Sequence, residues 1–199
     1  MTWAQGLLYF LANDPDVPEH LRTQVGEWGL AKDEFPDTGH WSHQLYVREA
    51  RRMLGEYLLT QHDLQENRHK PDSIGMGGYN IDIREVQWVA HNVYHFPSAR
   101  QEVFAEGYLS MPVEPYDIPY RTLLPKHGQC ENLLVTSCIS ASSVAYASLR
   151  MEPQYMIAGH AAGVAAAQAI RAKKTPADID VAALRSRLAA QKQILCLHR

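Results

Sequence analysis

The sequence predicts an α/β fold (an α+β fragment): helices packed with a sheet, then a strand–turn–helix unit. Three observations carry this expectation. Val47, Ala50, Leu54, Tyr57 and Leu58 recur at the helical period, predicting a helix near 44–61. Residues 72–84 (DSIGMGGYNIDIR) and 113–124 (VEPYDIPYRTLL) read as extended. An apolar run at 132–136 feeds a Ser/Cys turn at 137–143, and then a helix rich in Ala and Gly.

From the amino terminus, residues 2–12 form a helix, expected to be buried, that Asn13, Asp14 and Pro15 stop. A second short helix runs over 19–28, and Pro36, Asp37 and Gly39 mark a loop at 35–40. Three glycines within 75–78 predict a bulge or a close approach of another segment. Residues 85–93 fit no single pattern. The two prolines in 113–124 make it an edge strand or a bent one. Residues 132–136 (NLLVT) read as a buried strand. Pro153 suits the first turn of the long helix, where its missing N–H has no helical partner, and the helix runs to about residue 173. Thr175, Pro176, Ala177 and Asp178 break it, and a last amphipathic helix spans about 180–191.

Composition removes several function classes. The 199 residues are 46% hydrophobic, enough for a real core, and the net charge is −3. So mild a balance offers no basic footprint for nucleic acid and no polybasic arm for a membrane surface. Cys130, Cys138 and Cys196 lack CxxC spacing, which argues against a disulfide framework and fits a reducing, cytoplasmic compartment. The apolar run at 6–12 has no preceding Lys or Arg and no cleavage site of small residues, so it does not read as a signal peptide. The apolar stretch 156–170 is too short to span a bilayer. His91 and His95 have zinc-protease spacing, but Asn92 stands where the general base Glu belongs, so no metal site is assigned.

The run ENLLVTSCISASSVAYASLRMEPQYMIAGHAAGVAAAQAI (131–170) resembles the C-terminal signature of a group of bacterial FAD-dependent oxidoreductases. Three upstream pieces resemble that group in the same order: GHWSHQLYVREARRMLGEYLLTQ (39–61), DSIGMGGYNIDIR (72–84) and PYDIPYRTLLP (115–125). The resemblance implies four parts. Residues 1–34 would be a helical N-terminal segment and 35–128 a portion of the substrate domain with its sheet. Residues 129–175 would give the closing strand and long helix of an incomplete FAD/NAD(P)-binding Rossmann-like domain, and 176–199 a C-terminal helix. No GxGxxG follows a strand, so the pyrophosphate-binding half is expected from an N-terminal FAD-binding half or a partner subunit. This chain alone is then expected to hold FAD weakly or not at all.

The same resemblance assigns candidate residues. Cys138, Ile139, Ser140 and Ser143 map onto the turn beside the flavin; a polar turn satisfying its own backbone is the plain alternative. Met151, Glu152, Pro153 and Gln154 form the start of the long helix, whose amides and dipole would favour negative charge on the ring. Trp41, Arg48, Arg52, Asp82 and Arg121 are candidate substrate contacts. His40, Tyr79 and Tyr120 are candidates for proton transfer. The mixture suits a small, hydroxyl-rich, carbohydrate-like substrate that yields hydride to FAD. The alternative is a non-catalytic glycan-binding or subunit-interaction module.

Overall fold

A computed structural model describes residues 2–43, 51–95 and 98–197. The chain divides into two units, Met1–Arg48 and Glu49–Arg199. In the first, α1 (Thr2–Asn13) and α2 (Glu19–Gly26) pack on each other. Asn13 ends α1 as expected, its side-chain amide donating to the Tyr9 carbonyl at 2.8 Å. Arg22 ties the intervening turn through the carbonyls of Asp14, Pro15 and Val17. The expectation of a buried first helix fails, because no residue of α1 is buried. Within this unit a helix of eight residues is too small a partner to cover an apolar cylinder on all sides.

The second unit combines helices with small antiparallel sheets, a mixed α/β architecture. β1 (Ser73–Gly77) pairs with β6 (Tyr116–Pro119), and β2 (Ile81–Ile83) with β5 (Leu109–Met111). β3 (Gln87–His95), over the stretch whose sequence pattern is ambiguous, pairs with β4 (Ser98–Glu106) as a ribbon that joins no other strand among the described residues. The glycines of β1 do what their spacing predicts. The register shifts between Ser73 and Gly75. A Cβ on Gly75 would strike Ile157, and one on Gly77 would strike the Tyr116 ring. The extended stretch 113–124 shortens to β6, then bends into a single 3-10 turn at Tyr120–Leu123.

Two expectations are corrected. Residues 51–60 of the expected helix 44–61 are not helical, and 44–50 lie outside the described residues. Their backbone bonds to other segments: Met53 N–H donates to Cys138 at 2.9 Å, Leu59 N–H to Ser140 at 3.0 Å, and Glu56 N–H to Leu124 at 3.1 Å. Gly55 allows this course, since a Cβ there would strike the Leu124 carbonyl. Residues 132–136 are not a buried strand either. They are exposed or half-buried and outside every ladder, with a backbone bond from Val135 N–H to the Leu123 carbonyl at 3.0 Å.

α3 (Gln61–Gln65) starts with a reciprocal capping box between Thr60 and Asp63. Its Asp63 carboxylate also meets the Lys70 ammonium at 3.0 Å, with side-chain exposures of only 6% and 3%, and accepts from the Tyr57 hydroxyl. Burial works to raise the Asp63 carboxyl; the bonds from Tyr57, Thr60 and Lys70 outweigh it and hold the group below the ordinary carboxylate value. Burial, then the bond to Asp63, pushes the Tyr57 phenol up to about 12.

α4 (Ser143–Leu149), which no sequence pattern flags, is capped by the Ser142 hydroxyl. α5 (Glu152–Ala172) and α6 (Val181–Ala190) match expectation closely, as does the break at Pro176–Asp178. α5 buries Ala158, Ala161, Ala162, Ala165 and Ala169, with β1 and α6 packed on it. Its glycines point the other way: among the described residues nothing stands near a Cβ on Gly159 or Gly163. Met156 and Ile170 share that outer surface at 72% and 77% exposure.

This packing is open to test at the glycines and at the buried ion pair. In urea melts, Gly75→Ala should cost about 1–3 kcal/mol through overpacking, whereas Gly163→Ala should gain up to about 1 kcal/mol of helix propensity; equal effects would contradict the assigned faces. Lys70→Met should cost about 3 kcal/mol by stranding a buried carboxylate. The native Asp63 pKa lies below its unfolded value, so its contribution is complete above the unfolded pKa of about 4 and is lost as pH falls through the native one. Asp63→Asn should flatten the acid limb of a stability-against-pH profile; an unchanged limb would refute the assignment.

Candidate functional site

The turn at 138–142 is held from two sides. The extended strap 52–59 lies along one side: Gly55 N–H donates to the Ser140 hydroxyl at 2.9 Å, Arg52 Nε to the Ala141 carbonyl at 3.1 Å, and Ser142 N–H to the Leu59 carbonyl at 2.8 Å. On the other side, Ser140 N–H donates to the Thr122 carbonyl at 3.1 Å. A turn bonded along both flanks is a rigid base for the helices that leave it.

Those helices, α4 and α5, meet at a tight corner. Arg150 ends α4, is buried, and donates through Nη2 to the Asp82 carbonyl of β2 at 2.7 Å, with the Asp82 carboxylate 3.7 Å away. The Gln154 amide, its nitrogen turned inward, donates to the carbonyls of Ser148 and Leu149 that α4 leaves open. Met151 is the N-cap of α5, and Glu152 and Pro153 are exposed at its amino end. The Gln154 and Tyr155 N–H groups both reach the Met151 carbonyl, at 3.0 and 3.1 Å. Pro153 has no N–H, so of the first-turn amides the Glu152 N–H is the one without a partner among the described residues. The Glu152 carboxylate already meets the helix dipole there.

Two phenols stand against this corner. The Tyr146 hydroxyl donates to the Ser137 carbonyl at 2.9 Å and lies 2.7 Å from the Tyr155 hydroxyl. The Arg52 guanidinium sits over the Tyr146 ring, 5.2 Å from its centroid. Burial, followed by the bond to Tyr146, raises the Tyr155 phenol well above its ordinary value. Sequence reasoning singles out neither tyrosine, nor Arg150. All three lie inside the 131–170 signature, so position within that motif was the signal that could have found them.

The structure gathers only part of the candidate set. Cys138 is half-buried beside the phenols, and Ser143 is exposed at the start of α4. Ile139 and Ser140 are fully buried. The Ser140 hydroxyl and backbone are committed to Gly55, Leu59 and Thr122, so both residues are corrected from flavin contacts to supports of the turn. Gln154 is likewise a support, its amide closing α4.

Tyr120 is corrected from proton transfer to core. It is 1% exposed, its hydroxyl donates to the Pro176 carbonyl at 2.8 Å, and burial pushes its phenol well above the ordinary value. Arg121 lies 4.2 Å from the Tyr57 ring centroid and 3.3 Å from the Asp72 carboxylate, where it braces the strap. Tyr79 keeps an exposed side chain at 44%, while its carbonyl accepts from the Ser148 hydroxyl. His40 and Trp41 belong to the first unit, half-buried, with His40 Nδ1 at 2.9 Å from the Glu34 carbonyl. A carbonyl only accepts, so Nδ1 carries a proton in this contact. Arg48 lies outside the described residues.

The described residues thus form a mixed α/β chain whose Ser/Cys turn leads through a braced corner into a long Ala/Gly helix. A family model described as FAD dependent oxidoreductase matches residues 2–188, and the chain belongs to that family. No curated protein and no solved structure matches it.

The cofactor of the family is FAD, and the described residues fit one end of it. The exposed amino end of α5 and the half-buried side chains of Cys138 and Tyr155 supply polar atoms of the kind that the edge of a flavin ring or its ribityl chain requires, with buried Tyr146 behind them. The pyrophosphate has no cradle among the described residues. The glycine run at 75–78 lies in and just after β1, where Gly75 and Gly77 admit Ile157 and the Tyr116 ring instead.

The corrections have a direct check. Tyr120→Phe and Ser140→Ala should each lower stability by about 1 kcal/mol and leave flavin binding unchanged. Weakened flavin binding at full stability would restore either residue to the site.

Proposed function

We propose that this chain forms the ring-end wall of the flavin site in an oxidoreductase acting on a small, hydroxyl-rich substrate. The observation that carries the proposal is the braced corner itself: three elements (β2, α4, α5) meet through Arg150, Gln154, Tyr146 and Tyr155 to fix the start of α5. FAD, when bound, supplies a two-electron acceptor for hydride from a substrate C–H bond. Cys138, Ser143, Met151, Glu152, Pro153 and Tyr155 would hold its ring end, with Glu152 N–H as the free amide donor.

Within the second unit, substrate binding would fall to Arg52, Asp82 and Arg121, with the Arg52 guanidinium over the Tyr146 ring. In that unit the candidate to take the substrate's hydroxyl proton is the exposed side chain of Tyr79, acting as its phenolate. The pyrophosphate would be held by an FAD-binding half or partner subunit. The subunit-interaction alternative draws on one observation, the outer surface of α5 with Gly159, Gly163, Met156 and Ile170 uncovered. A helix with that surface is suited to close approach by another backbone.

Titration of the purified chain with riboflavin and with FAD, monitored by flavin fluorescence and by gel filtration, tests the reading. Both ligands should bind weakly with dissociation constants within about threefold of each other, and FAD should be lost on the column. Stoichiometric FAD retained through gel filtration would show a pyrophosphate cradle in this chain. Absence of binding by either flavin would remove the ring-end assignment.

A further inference from the structure

The two phenols at the corner have a proton order that their partners dictate. The Ser137 carbonyl only accepts, so the Tyr146 proton must point to it across 2.9 Å; turned elsewhere, two oxygens would face each other lone pair to lone pair. The Tyr146 oxygen is then the acceptor in the 2.7 Å contact with Tyr155, and the Tyr155 proton is spent on it. The result is a directed chain, from Tyr155 O–H to Tyr146 O–H to Ser137 O=C. No other hydrogen bond to the Tyr155 oxygen exists among the described residues. That oxygen keeps an acceptor lone pair and has no proton left to give.

We propose that Tyr155 is an acceptor-only recognition residue at the start of α5, selecting ligands that present a hydroxyl or imide N–H donor, and that Tyr146 is the positioning residue that fixes this polarity. The proposal rests on the flavin-site reading above and adds a rule of selectivity to it. Burial raises the Tyr155 phenol, which keeps it neutral, so it recognises a donor without removing its proton. Three sources share the donor chemistry: the imide N–H of the flavin ring, a ribityl hydroxyl, and a substrate hydroxyl.

Fluorescence titrations of the full chain with lumiflavin and riboflavin, and competition by ribitol, separate these sources. The wild type, Tyr155→Phe and Tyr146→Phe are compared. Tyr155→Phe should weaken at least one probe by about fivefold to tenfold, the effect of one neutral hydrogen bond. Loss confined to riboflavin assigns a ribityl hydroxyl, and equal loss for lumiflavin and riboflavin assigns the imide. Loss of ribitol competition alone assigns a substrate hydroxyl.

Tyr146→Phe keeps the Tyr155 hydroxyl but frees its proton, so it should weaken the same probe. A structural role for Tyr146 alone would instead move stability without selectivity among the probes. An independent readout uses the ligand-free chain: NMR of the two phenolic protons should show both protected from exchange in the wild type, and the Tyr155 proton exposed in Tyr146→Phe. Lumiflavin and riboflavin bound equally by all three proteins, with ribitol competition also unchanged, overturn the proposal and leave the flavin site standing. Binding of no probe by the wild type overturns both.

Discussion

The site depends on backbone hydrogen bonding between two segments about eighty residues apart in sequence. The strap at 52–59 gives its N–H groups and the Arg52 guanidinium to the 138–142 turn, and takes back the Ser142 N–H. Neither segment is a regular strand, so each has polar groups that burial would leave unsatisfied without the other. Once the turn is fixed, Ser142 caps α4, α4 delivers Arg150 and Tyr146, and the corner sets where α5 begins. Removal of the strap would therefore reach α5 through the turn.

The strap is itself anchored at its far end. Tyr57 bonds the carboxylate that caps α3 and meets Lys70, and Arg121 covers the Tyr57 ring. A carboxylate buried this deeply is tolerated because every approach to it is a donor. The polar network and the backbone zipper are parts of one support. One places the strap, and the other transmits that placement to the turn.

Legibility in the sequence tracks the range of the forces involved. α5, α6, the stop of α1 and the bulged β1 are legible because Pro, Asn and Gly act through local backbone geometry. The helix expected near 44–61 fails over 51–60 because its apolar spacing is real, while the deciding bonds come from Leu124, Cys138 and Ser140 far along the chain. Residues 132–136 fail for a related reason: apolar character alone does not supply a ladder partner. Of the candidate site, the motif points to the corner where α4 meets α5. It does not separate Ser140, which faces the core, from Tyr155, which stands at the surface of the corner, since both are polar residues within one run of mostly small side chains.

The β3–β4 ribbon leaves a trace that the rest of the fold does not share. Its strands satisfy only each other, its described side chains are almost all exposed, and no third strand adds to it among the described residues. A two-stranded ribbon is marginal in water, so it can fray while the alanine-packed interior persists. Amide exchange would then report two clocks in one polypeptide, a fast one in the ribbon and a slow one along α5.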